Sequence, residues 1–139
     1  MWRKDVCFIL RCCIGFYKNN ENTGFILKVK LIIGQNSKEY TDCWSSPDGK
    51  FIIFKGEMGN YMIVSKKTKQ WIGNLVMNSK GIGGCFSPDS KYFFSCGYGG
   101  EIYKWDMKQR RCVNRFVDYG SNSTNSISIS KNGELLATG

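Results

Sequence analysis

The sequence predicts an all-β chain built from repeated four-stranded units, and three observations carry that prediction. A serine-led turn recurs at a near-constant interval. The segments between turns are rich in β-branched and aromatic residues, and glycine is common while proline is scarce. Ser45-Ser46-Pro47-Asp48-Gly49-Lys50 returns as Phe86-Ser87-Pro88-Asp89-Ser90-Lys91 and, more weakly, as Ile129-Ser130-Lys131-Asn132-Gly133-Glu134. The interval is 41 residues from Asp48 to Asp89 and 43 from Asp89 to Asn132. In this turn the fixed φ of proline suits the corner, the aspartate offers an oxygen to nearby amides, and glycine accepts a positive φ. With 16 glycines and 2 prolines in 139 residues, the composition fits short strands joined by tight turns.

The elements follow the same rhythm. After each turn comes an apolar run: Phe51-Ile52-Ile53-Phe54-Lys55, then Tyr92-Phe93-Phe94-Ser95-Cys96, then Leu135-Leu136-Ala137-Thr138. Gly59 to Ser65 matches Gly100 to Asp106, and polar turns at 66–70 and 107–110 lead into Trp71 to Val76 and Cys112 to Val117. Each unit thus offers four strands bounded by Gly, Asp, Asn and Ser. No apolar 3.6-residue period survives these turns, so helix competes poorly. Upstream, Cys12 to Tyr17 and Phe25 to Ile33 flank a polar turn, Lys18 to Thr23, and read as the last two strands of an earlier unit. Residues 1–14 are left as an unassigned N-terminal segment. The predicted division is 15–38 (end of one unit), 39–80 and 81–120 (two full units) and 121–139 (start of another).

A four-stranded unit repeating every 40–45 residues is the pattern of a WD40 β-propeller blade, and Trp105-Asp106 ends a third strand where that repeat carries its Trp-Asp pair. The fold expected is therefore all-β, a WD40 propeller fragment of about two and a half four-stranded blades. The repeats are degenerate. There is no Gly-His, Val64-Ser65 replaces Trp-Asp in the preceding blade, and Gly99-Gly100 stands where an Asp often sits. The regular Asp-His-Ser-Trp network cannot form, which leaves Ser95 and Trp105 to bond each other. Propellers close with about four to eight blades, so a fragment or truncated gene product is expected, with open sheet edges that favour aggregation.

The formal charge of +9 and pI near 9.3 favour an acidic partner, nucleic acid first and an anionic membrane second. Turns joining strands one to two and three to four of a blade share one end of the propeller. That assignment gathers Lys18, Lys50, Lys66, Lys67, Lys69, Lys91, Lys108, Arg110, Arg111 and Lys131 against Glu21, Asp48, Asp89 and Asp106. The opposite end carries Lys38, Lys55 and Lys80 against Glu39, Glu57, Glu101 and Asp118. A one-sided basic field suits phosphate contact with strong salt dependence, and Lys66, Lys67, Lys69, Lys108, Arg110 and Arg111 are its candidates. Ordinary solvated turn lysines explain the same residues. Aromatics are not interleaved in these turns, so base stacking is not indicated.

Seven cysteines with no histidine and no C-x-x-C pair give neither a zinc site nor a disulfide framework, and indicate a reducing compartment. Catalytic, cofactor and metal residues are all expected to be absent: there is no histidine base, nucleophile elbow or phosphate-cradling loop before a helix. No small-molecule substrate follows. The apolar run Val6 to Leu10 is too short for a signal peptide, no stretch has the length of a membrane span, and no membrane partner is expected.

More specific are the strand endings Val64-Ser65-Lys66-Lys67-Thr68-Lys69-Gln70-Trp71-Ile72-Gly73, Met77-Asn78 and Arg110 to Gly120. These resemble the U3 small nucleolar RNA-associated protein 18 family, WD40 subunits of the small-subunit processome. The likeness spans Gly15 to Gly139 and is best from Tyr61 onward, while Met1 to Ile14 departs from it. The resemblance implies a non-catalytic scaffold in the nucleolus of the nucleus. Its partners would be other processome proteins and the U3 ribonucleoprotein, in pre-rRNA processing toward 18S rRNA. The alternative is a generic WD40 adaptor, such as a ubiquitin-ligase substrate receptor or signalling scaffold. That reading predicts binding through the less basic end with little salt dependence.

Overall fold

The structure is a computed structural model that describes the backbone of residues 6–10, 13–20 and 24–32, and residues 41–139 throughout. All of its regular elements are antiparallel strands. β1 (Val6–Leu10), β2 (Cys13–Asn20) and β3 (Gly24–Ile32) form a three-stranded sheet in the order β1-β2-β3. β4 (Asp42–Ser45), β5 (Phe51–Lys55), β6 (Asn60–Ser65) and β7 (Trp71–Val76) form a four-stranded meander. The second meander is β8 (Gly81–Phe86), β9 (Tyr92–Gly97), β10 (Glu101–Asp106) and β11 (Arg111–Val117). A hairpin of β12 (Ile127–Ile129) and β13 (Leu136–Thr138) follows.

The first sheet differs from the sequence expectation in two ways. The segment before residue 15 supplies a strand, because the apolar run Val6 to Leu10 pairs along its whole length with Cys13 to Tyr17. The β2–β3 ladder also runs into the expected polar turn: Lys18 pairs with Ile26 and Asn20 with Gly24, so Lys18 stands in a strand rather than a turn. Residues 21–23, with Glu21, and residues 33–40, with Lys38 and Glu39, lie outside the described residues.

Each meander buries its two middle strands and leaves much of the fourth exposed, although Leu75 of β7 is buried. Burial along β5 and β6 is nearly continuous, whereas every residue of β11 but Val117 is exposed. This is what face-to-face packing demands, since middle strands are covered on both sides and need apolar residues at every position. One core joins the two meanders. From β4–β7 come Ile53, Tyr61, Ile63 and Leu75, and from β8–β11 come Phe86, Phe93, Tyr103 and Trp105. Phe93 sits at its centre, with ring centroids 5.6 Å from Trp44, 5.8 Å from Tyr61 and 5.0 Å from Phe86. Such offset and edge contacts add to the area buried. Tyr61 crosses between the sheets and donates a 3.0 Å hydrogen bond from its hydroxyl to the Gly83 carbonyl.

The repeated turns are built alike. In the first, Ser46 Oγ donates to Asp48 Oδ1 at 2.7 Å and accepts from the Phe51 N–H at 2.9 Å, while Asp48 Oδ1 accepts from the Lys50 N–H at 3.1 Å. Ser87, Asp89, Tyr92 and Lys91 repeat the pattern in the same order at 2.6, 2.9 and 3.0 Å. Ser130, Asn132, Leu135 and Glu134 repeat it again at 2.6, 2.9 and 3.2 Å. Asparagine serves in the third copy because the turn needs one acceptor oxygen there, not a charge.

Candidate nucleic-acid interface

The strand-one-to-two and strand-three-to-four turns of each meander are hydrogen-bonded together at one end. The Lys66 N–H donates to the Lys50 carbonyl at 2.8 Å, and the Met107 N–H to the Lys91 carbonyl at 2.9 Å. These bonds put Lys50, Lys66, Lys67 and Lys69 side by side in one blade and Lys91, Lys108, Arg110 and Arg111 in the next. Ser45, Pro47, Lys50, Ser65, Lys66 and Lys67 line part of an open hollow of about 720 Å³ there.

The acids at this end are already engaged. Lys50 pairs with Asp48 at 3.3 Å and Lys91 with Asp89 at 3.4 Å, both toward solvent. For Asp89 the Ser87 hydroxyl and the Lys91 amide hold the carboxyl below its usual range. Burial works the other way at Asp48, but the Ser46 hydroxyl and Lys50 outweigh it and lower that carboxyl too. Asp106 takes the Gln109 N–H at 2.7 Å and so caps the turn into β11. Lys67, Lys108 and Arg111 are exposed, and Lys66 and Lys69 are half-buried. Arg110 is exposed as a residue, yet its guanidinium donates a 2.7 Å hydrogen bond to the Ile72 carbonyl of the preceding meander.

Trp105 and Ser95 lie inside, not at this surface. The Trp105 indole Nε1 donates to Ser95 Oγ at 2.8 Å, with the indole 4% exposed and the serine fully buried. Pro47, Gly49 and Pro88 occupy exposed turn corners. Sequence reasoning missed Ser65, whose hydroxyl accepts the Thr68 N–H at 3.3 Å and does for the β6–β7 turn what Asp106 does for the next. The aligned positions Ser65 and Asp106 carried that signal.

The opposite end carries a buried charge of its own. Glu101 accepts hydrogen bonds from Ser79 Oγ and Tyr103 Oη, each 3.0 Å, and pairs closely with Arg115. Burial opposes its ionisation, but Arg115 and the two hydroxyls outweigh that and hold the carboxyl below its usual range. Lys55 bridges to Asp42 at 2.7 Å and to the Ile82 carbonyl at 2.9 Å. Of the charges assigned to this end by sequence, Lys55 and Glu101 are therefore consumed by packing, whereas Glu57, Lys80 and Asp118 are exposed. Its exposed large side chains include Met58, Tyr98 and Tyr119 in the connections.

Cys85 and Cys96 are placed for packing, whereas Cys112 is exposed. Burial pushes Cys85 up to about 11, with Cys96 nearby adding to it, and Cys96 is raised by burial as well. Neutral buried thiols behave as small hydrophobes. Among the described residues no group of His, Cys, Asp or Glu could hold a metal ion.

A protein-family pattern described as "WD domain, G-beta repeat" matches residues 70–106. The match runs from just before β7 through β10 and closes on Trp105-Asp106. The chain carries a WD40 repeat. The sequence repeat thus takes the fourth strand of one blade with the first three of the next, so each repeat ties two blades together covalently. The chain is 38% identical over 116 residues to the mouse (Mus musculus) protein named U3 small nucleolar RNA-associated protein 18 homolog, covering 84% of this chain and 21% of that protein. The human protein of that name is 37% identical over the same coverage. The Arabidopsis thaliana protein so named is 37% identical over 112 residues, 81% of this chain and 20% of the relative. These proteins are homologues of this WD40 chain over the aligned span, and the chain spans about a fifth of their length.

Proposed function

We propose that the chain is a non-catalytic WD40 scaffold segment of the small-subunit processome, acting with the U3 ribonucleoprotein in nucleolar pre-rRNA processing toward 18S rRNA. The observation that carries this reading is the identity to proteins named U3 small nucleolar RNA-associated protein 18 homolog over 84% of the chain. The geometry supports a scaffold: side chains at the blade faces pack, and chemistry-bearing groups such as Glu101 and Ser95 are consumed by internal hydrogen bonds.

Within that role the basic turns are the surface for RNA phosphate, through Lys66, Lys67, Lys69, Lys108 and Arg111. Ammonium and guanidinium groups there displace counterions from the backbone without reading sequence. Protein partners of the particle would meet the opposite end, where exposed Met58, Tyr98 and Tyr119 stand among Gly, Ser and Asn. Rigid aromatics among small polar residues suit protein contact at low entropy cost.

Affinity recovery of the tagged chain from nuclear extract, with sequencing of the bound RNA, tests the reading. Enrichment of U3 RNA is the expected result, and recovery of cytosolic partners alone would overturn it. Replacing Lys108, Arg110 and Arg111 together with glutamine should weaken RNA binding and flatten its salt dependence. An unchanged slope would mark this turn as solvated surface only.

A further inference from the structure

The fourth strand of each blade carries one residue too many. Along β6–β7, Ile63 pairs with Gly73 and Val64 with Trp71, which leaves Ile72 unmatched. Along β10–β11, Lys104 pairs with Asn114 and Trp105 with Cys112, which leaves Val113 unmatched. The same slip occurs in β3, where Lys28 falls between the partners of Phe16 and Tyr17. A bulged residue has no cross-strand partner, so its polar groups are available to something else.

In β7 that something is Arg110. Its NH1 donates to the Ile72 carbonyl at 2.7 Å. The Arg110 Cδ lies 3.5 Å from where a Cβ on Gly73 would stand, so the stem rests on a residue without a side chain. Arg110 reaches back because its backbone is left-handed, with φ 55°, and its N–H closes the turn onto the Asp106 carbonyl at 2.7 Å. A left-handed arginine is disfavoured by its Cβ and needs a compensating contact. The Ile72 carbonyl supplies it. The donor half of the device also repeats: Lys69, at the matching turn position, has φ 60° and an N–H bonded to Ser65 at 2.8 Å.

We propose that Arg110 is an inter-blade latch, a positioning residue that locks the β8–β11 blade against the β4–β7 blade at the basic end, rather than one of its phosphate contacts. The phosphate part of this statement rests on the RNA reading given above, whereas the latch itself does not. The guanidinium binds a backbone carbonyl, so the carbonyl's owner can vary while the cation and the bulge cannot. This accounts for a lysine or arginine at the end of both turns beside an unmatched strand residue.

The test uses the 139-residue chain with R110G, R110K, R110Q and R111Q. Urea unfolding, read by tryptophan fluorescence, should give a lower midpoint for R110G even though glycine relieves the left-handed backbone. R110K, which can still reach the carbonyl, should recover most of that loss. A midpoint that rises with R110G overturns the latch, because it would mean strain without a compensating bond. In the second arm, binding to poly-uridylate RNA is followed against salt. R111Q should lower the slope by about 0.7, the value for one phosphate on a single strand, and R110Q by less than half as much. Equal losses for R110Q and R111Q make Arg110 a phosphate contact and overturn the proposal. If no variant binds RNA, the RNA reading fails while the urea arm still decides the latch.

Discussion

Ser90 holds a left-handed backbone, with φ 61°, and its hydroxyl accepts a 3.0 Å hydrogen bond from the Asp48 N–H in the preceding blade. The matching residues of the other two turns are Gly49 and Gly133, with φ 73° and 78°. The serine thus trades a backbone preference for a bond between blades. Replacing Ser90 with alanine removes the bond and keeps the strain, so stability should fall by about 1 kcal/mol. Replacing it with glycine removes both, and the relief of roughly 1 kcal/mol should leave stability near the parent. Urea unfolding of the two variants checks the order; alanine as stable as glycine would refute it.

Ser95 and Trp105 show a second exchange between repeats. Phe54 and Val64 occupy the matching places, all four are buried, and the large and small partners are swapped. The volume between the strands is thereby kept, which cores tolerate well. Ser95→Ala should cost about 1–3 kcal/mol, because the buried indole N–H loses its acceptor. Ser95→Phe should cost more, since Trp105 already fills that space. Thermal unfolding of both variants measures the difference.

Gly84 and Gly49 should respond differently to alanine. A Cβ on Gly84 would collide with the Phe93 ring and approach the Phe94 carbonyl at 3.0 Å, at the centre of the core. Gly84→Ala should therefore cost about 1–3 kcal/mol through overpacking. Nothing lies within 4 Å at Gly49, and only its φ of 73° resists the change. Gly49→Ala should cost roughly 1 kcal/mol. Calorimetry that ranked Gly49→Ala as the worse of the two would contradict this account of the core.

Asp48, Asp89 and Glu101 are all lowered in the folded chain. A carboxyl lowered by folding adds stability above its unfolded value, and that contribution is lost as pH falls through the folded value. The unfolding midpoint should accordingly hold above about pH 5 and decline below about pH 4. Asp89→Asn keeps the acceptor oxygen, as Asn132 does in the third turn, and should shrink the decline while leaving the fold intact. A pH profile identical to the parent's would show that Asp89 contributes nothing to it.

The repeat was legible because a turn is a local object. Serine, an Asx residue and a positive-φ position within a few residues form the same hydrogen bonds wherever the chain places them, so Ser46, Ser87 and Ser130 announced three turns in advance. The alternation of strands and the shared end of the basic turns followed from the same local order. What the sequence hid is what neighbouring blades do to each other. Arg110 read as a surface cation until the bulge at Ile72 brought a carbonyl to it across the blade boundary. Glu101 read only as one acid of the opposite end until Ser79, Tyr103 and Arg115 closed around it. Val6 to Leu10 read as an unassigned stretch until β2 offered a partner edge. Turn chemistry is set by residues adjacent in the chain, whereas burial and pairing depend on residues dozens of positions away, and those only packing brings together.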